Sequence, residues 1–203
     1  HNVLDELTTG SDNTAVGSSA LQKNTTGNNS VGVGYEALAT NTTGGNNTAI
    51  GYKALKDTVD KHSCVAIGYT AAENATAHYT TAVGDRAMAG ATVTGERNVA
   101  LGHYSLYSLA NGANNTALGS NTLSLNVGGD NNTAVGYAGL NENTSGVNNT
   151  SVGSAALYNN TTASDNTAVG RDALYANTTG AGNTAVGSGA LDTTTTGGEN
   201  TAV

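Results

Sequence analysis

Residues 166–182 read Asn-Thr-Ala-Val-Gly-Arg-Asp-Ala-Leu-Tyr-Ala-Asn-Thr-Thr-Gly-Ala-Gly, and variants of this stretch fill the chain from end to end. The glycine that closes each Asn-Thr-Ala-Val-Gly serves as a marker. Markers stand at Gly17, Gly34, Gly51, Gly68, Gly84, Gly102, Gly119, Gly136, Gly153, Gly170 and Gly187, spaced by 17 residues except for one step of 16 and one of 18 that cancel. A short fixed period is the signature of a solenoid, in which each repeat is too small to close a core alone and buries its apolar face by stacking on its neighbours. The reading is therefore all-β: a β-solenoid (parallel β-roll) of twelve 17-residue coils, one array over residues 1–203, less regular at about 57–112.

Composition points the same way. The chain has 203 residues with no Phe, Trp or Pro and 28 Gly, so the large side chains that fill a globular interior are missing. Polar composition of this kind also suits disorder, but here the apolar residues recur at fixed phase, which a disordered chain does not do. The net charge is −8 and the seven Lys and Arg are scattered, which leaves no footprint for nucleic acid. No apolar run reaches the ~18 residues that a membrane-spanning helix needs, so no membrane insertion is expected. A single cysteine, Cys64, excludes an intrachain disulfide. The chain begins and ends in step with the repeat, so the expectation is a window of a longer fibre protein.

Comparing the copies assigns positions. The residue before each marker is always aliphatic (Val16, Ile50, Leu101, Val135), and two residues earlier stands Thr or Val (Thr14, Val31, Thr48, Val65). β-Branched residues with period two are a strand signal, and they are expected to point into the coil. The position between them is always small (Ala15, Gly32, Ala134, Ser151, Ala168). If that face looks outward, its restriction to small residues implies close approach of another backbone, with Ala134 and Gly136 at a contact between chains. Four residues past the marker Leu dominates (Leu21, Leu38, Leu174), with Ala72 and Met88 as exceptions, which reads as a second short strand. Asn-Thr-Thr-Gly, as at Asn24–Gly27, then turns the chain, Asn and Gly being the residues that tolerate positive φ. Each coil thus holds two short strands and two turns.

Four residues before the marker, Asn recurs at Asn13, Asn47, Asn98, Asn115, Asn132, Asn149, Asn166, Asn183 and Asn200, with Ser30, Cys64 and Thr80 in the remaining copies. Stacked carboxamides can bond from coil to coil in a structural ladder. Tyr35, Tyr52, Tyr69 and Tyr137 each follow a marker and are candidate glycan contacts along a tyrosine face. His62, His78 and His103 fall in different copies at unlike phase near Arg86, Arg97 and Cys64; without a second Cys they do not make a metal site. No nucleophile–base set, paired carboxylates or phosphate loop recurs, so neither catalytic residues nor a cofactor are expected.

The pentapeptide Asn-Thr-Ala-Val-Gly, with Asn29–Gly34 (Asn-Ser-Val-Gly-Val-Gly), resembles the Ser-Val-Ala-Ile-Gly repeats in the heads of trimeric autotransporter adhesins. The full unit resembles repeats of phage tail fibres and of bacterial surface proteins that carry an endosialidase-type chaperone domain. The resemblance spans the whole chain, although the adhesin-head period is shorter. It implies a homotrimer (the partner being the chain itself), an extracellular place on a cell surface or virion, and a structural fibre segment that presents a tip to a cell-surface glycan or protein receptor. A second likeness, of Asn-Asn-Thr-Ala-Val-Gly to plant ice-binding β-rolls, gives the alternative of a binding module. Ice would then meet the paired Thr (Thr25-Thr26, Thr42-Thr43, Thr178-Thr179), or a glycan the Tyr face.

Overall fold

A computed structural model describes residues 2–203 of the chain. Among these residues twelve short strands run in sequence order from β1 (Thr14–Val16) through β8 (Thr133–Val135), β9 (Thr150–Val152) and β10 (Thr167–Val169) to β12 (Thr201–Ala202). They form one parallel sheet in which every strand pairs with the next in sequence. The register is coil for coil: Thr133 faces Thr150, Ala134 faces Ser151 and Val135 faces Val152. The 16- and 18-residue steps leave it intact, since Ala82 still pairs Ala66 on one side and Ala100 on the other. The chain is a β-solenoid.

Two expectations about the coil are corrected. First, a coil has one strand, not two. The segment after each marker folds instead as consecutive tight turns, with Ala37 N–H donating to Gly34 O, Ala39 N–H to Glu36 O and Asn41 N–H to Leu38 O. Each of the first two turns has positive φ at its third residue, Glu36 at 54° and Leu38 at 53°, the condition of a type II turn. A left-handed Leu costs roughly 1–2 kcal/mol. Fully burying its side chain returns about 1.5–3 kcal/mol, and Leu21, Leu38, Leu140, Leu157 and Leu174 are all completely buried. Glycine would relieve the backbone but leave the coil empty.

Second, the strand faces the other way. Ala49, Ala66, Ala100, Ala134 and Ala168 are fully buried inside the coil, whereas the flanking Thr and aliphatic residues look outward. The cause is the narrow coil. The buried Leu reaches across it, and even a β-carbon added at Gly32 would lie 3.3 Å from Leu21 Cγ. Only a methyl-sized group fits between strand and Leu, so the large aliphatics stand outside. The inference that Ala134 lies against another chain falls with this. The marker glycine has a cause within one chain as well: Gly136 has φ of 125°, and a β-carbon on it would lie 2.6 Å from the carbonyl oxygen of Gly153 in the next coil.

Inside the coil run two columns of asparagine. In one, Asn115 Nδ2 donates to Asn98 Oδ1 at 3.1 Å, Asn132 to Asn115 at 3.2 Å and Asn149 to Asn132 at 3.1 Å, and each Oδ1 also accepts the main-chain N–H of the next Asn. A second column lies at the corner. Asn143 Nδ2 donates to Asn126 Oδ1 at 2.8 Å, Asn160 to Asn143 at 2.9 Å and Asn177 to Asn160 at 3.1 Å. Each also closes its own corner, as Asn160 does on Ala163 O. The corner Asn is thus chosen for its amide, not for positive φ.

The irregular stretch follows from this column. Thr58 succeeds Asn41, and Ala75, Val93 and Leu109 occupy later corners, all buried. There the polar ladder gives way to apolar packing, with a parallel bridge between Ala75 and Val93. Asn41 Oδ1 and Asn177 Oδ1 are buried without partners because the next corners carry Thr58 and Thr194, which lack an amide to donate.

Candidate functional surfaces

The residue after each marker sits at an exposed edge where side chains of successive coils stack. Tyr35 and Tyr52 lie 5.3 Å apart and Tyr52 and Tyr69 5.1 Å apart, nearly parallel. The guanidinium of Arg86 continues the pile, 5.4 Å from the Tyr69 ring and 5.6 Å from Tyr104, and donates to the Tyr104 hydroxyl at 2.9 Å. Cation–π contacts of this kind contribute about 0.5–1 kcal/mol each at an exposed site. Cross-coil pairs, Lys56–Glu36 at 3.6 Å and Lys53–Glu73 at 3.8 Å, flank it. A sugar stacks on an open ring face. Here the faces of Tyr52 and Tyr69 are turned on their neighbours, leaving edges and hydroxyls outward. Tyr137 stands apart from this pile and is highly exposed, with Ser120 and Ser154 in its place on the coils before and after.

The histidines are not all at unlike phase, since the 16-residue step brings His62 and His78 into one column. Their rings stack 5.6 Å apart. His62 Nδ1 accepts the Gly45 N–H at 2.9 Å, and His78 Nδ1 accepts the His62 N–H at 3.2 Å. Asn28, Asp130 and Ser164 act likewise in other copies, so this column caps N–H groups of the preceding coil. His103 lies elsewhere, 3.5 Å from the Asp85 carboxylate. Among the described residues no three His, Cys, Asp or Glu side chains gather as metal ligands do.

Cys64 fills a place in the first Asn column. Its N–H reaches Asn47 Oδ1 at 2.9 Å and its Sγ lies 3.3 Å from Ala77 O, replacing the Nδ2–carbonyl bond that Asn149 makes with Ala163. Burial pushes the thiol pKa up, which disfavours the thiolate. Cys64→Asn is expected to restore the missing carboxamide and raise the thermal midpoint by a few degrees, one net hydrogen bond being worth about 1 kcal/mol. Calorimetry checks this, and a lowered midpoint would show that the site has no room for the amide.

The first threonine of each corner pair turns its hydroxyl along the rod to the next coil. Thr25 Oγ1 donates to Thr42 O at 3.0 Å, Thr144 to Thr161 O at 3.0 Å and Thr178 to Thr195 O at 3.0 Å. The outward strand face is different. Its two columns, one of Thr and Val and one of Val, Ile and Leu, carry no charged residue in any copy. Val16, Ile50, Ile67, Leu101, Val152, Val169 and Val186 are exposed along it, from 36% at Val169 to 57% at Val16. A shallow depression lined by Asp172, Tyr175, Asp192 and Thr193 is the other surface feature, with Tyr175 stacked on Tyr158.

No protein-family model, curated protein or solved structure matches the chain.

Proposed function

We propose that the chain is a structural segment of an extracellular fibre, of the kind found in phage tail fibres or bacterial surface adhesins, that holds a binding tip away from the surface carrying it. The observation that supports this reading is the direction of the hydrogen bonds. Strand ladder, turn ladder and both Asn columns all run along the solenoid axis from coil to coil. Length is then added at ~4.8 Å per coil with no change in cross-section, which suits a spacer. The binding-module readings have less support: in the Tyr35–Tyr52–Tyr69 pile the ring faces are turned on their neighbours, Tyr137 is a single ring with Ser in its place on the coils before and after, and the first hydroxyl of each corner Thr pair is spent on the next coil. The test is antibody labelling of the intact producing cells or particles. Label on the unbroken surface, lost after brief external proteolysis, is the expected result. Label that appears only after lysis overturns the reading.

A further inference from the structure

We propose that the outward strand face docks a second copy of this chain, sheet against sheet. The inference does not depend on a fibre role, and it concerns the residues opposite to the small ones first considered. Three observations carry it.

The first is selective composition. Every Lys, Arg, Asp and Glu of the chain lies off the two outward strand columns, although these columns are as open to water as the edges that carry charge. A face that met only solvent would accept Lys or Glu in some of its copies. A continuous aliphatic column this long is what a partner covers.

The second is period. Strands pair in register throughout, so the aliphatic column repeats with the strand spacing of ~4.8 Å. Ridges with that repeat mesh along their whole length only with a surface of the same repeat, which another copy of this sheet supplies. Two such faces pack about 10 Å apart with their side chains interdigitated.

The third is size. Eleven steps of ~4.8 Å and a face ~10 Å wide give roughly 500 Å² per copy, or about 1,000 Å² in all, the lower bound of a specific interface. One sheet face per rod also closes at two copies, because the contact uses the same patch on both.

Charge sets a sign. Each copy carries −8, located off the contact, so pairing brings two acidic rods together. Salt screens that repulsion and strengthens apolar burial, and association therefore tightens as salt rises.

The experiment is light scattering with the intact chain at low and high salt. It uses a face set, Val135→Lys with Val152→Lys and Val169→Lys, and an off-face set, Thr162→Lys with Thr179→Lys. The expected mass is twice the 20.0 kDa of one chain for the parent and the off-face set, and 20.0 kDa for the face set with its circular dichroism unchanged. Should the Lys set fail to fold, Val→Thr at the same three positions keeps strand propensity and is expected to weaken association at least tenfold. Four results overturn the proposal: a parent that stays monomeric at high salt, pairing that weakens with salt, a mass of three copies, or an oligomer that the face variants leave intact. A monomer that depresses the freezing point, and loses this in the face set, assigns the face to ice and overturns it too.

Discussion

Ala134→Asp is expected to unfold the middle of the array, while Val135→Asp, on the next residue, is expected to change the stability of the separate, unpaired chain by no more than about 1 kcal/mol. Ala134 is fully buried, and Leu140 and its neighbours fill the space beyond it. A carboxylate at that position has neither water nor a cation to meet, and an uncompensated buried charge costs on the order of 3–5 kcal/mol. The group answers by holding its proton, so its folded-state pKa rises above the ordinary ~3.9. An acid whose folded pKa is raised destabilises above its unfolded pKa, and the charge part of the cost fades as pH falls toward ~4. The Ala134→Asp chain therefore recovers part of its stability on acidification, while the Val135→Asp chain does not. Hydrogen exchange read strand by strand checks this. Protection should fail first at β8 and β9, then spread, because each coil is held only by its neighbours. Equal protection in the two variants would show that the strand has no inside and outside.

Asn149→Leu is expected to be nearly as damaging. Asn149 Nδ2 serves both Asn132 Oδ1 at 3.1 Å and Ala163 O at 2.8 Å, and its Oδ1 takes the Asn166 main-chain N–H at 3.1 Å and Asn166 Nδ2 at 3.2 Å. Leucine has similar bulk but neither donor nor acceptor. It strands several buried polar groups at once, each worth about 1–3 kcal/mol when left unpaired. The damage is larger than for a lone hydrogen bond because the column conducts it to both neighbours. Thermal unfolding of Asn149→Leu beside Thr162→Leu, whose side chain is exposed, separates the ladder from general substitution effects. A midpoint equal to that of Thr162→Leu would refute the ladder's contribution.

The coil, its period and the place of its strand were legible because the sequence contains its own alignment: twelve copies reveal which positions vary and which do not. What the copies do not state is phase. Val and Thr on alternate positions predict a strand equally well whether they face in or out, and a shift of one residue exchanges the faces. Burial preference argued for Val inside. The deciding fact was a distant one, that Leu21 and its counterparts cross the coil and leave room for a methyl group only. The second Asn column was visible in Asn-Thr-Thr-Gly, but Asn is common in turns, and that ordinary explanation masked its amide-to-amide bonding. The His62–His78 stack was hidden by the single 16-residue step, which moves the second histidine into the column of the first.

Because the bonds that join coils lie parallel to the axis, tension on the two ends loads them in series rather than side by side. The coil at one end carries the full force and can peel while the rest stays wound. Each coil that peels releases up to ~56 Å of slack, about twelve times the ~4.8 Å it occupied. Such a rod is stiff under light loads and lengthens in steps under heavy ones, so a sudden pull on its two ends is dissipated coil by coil.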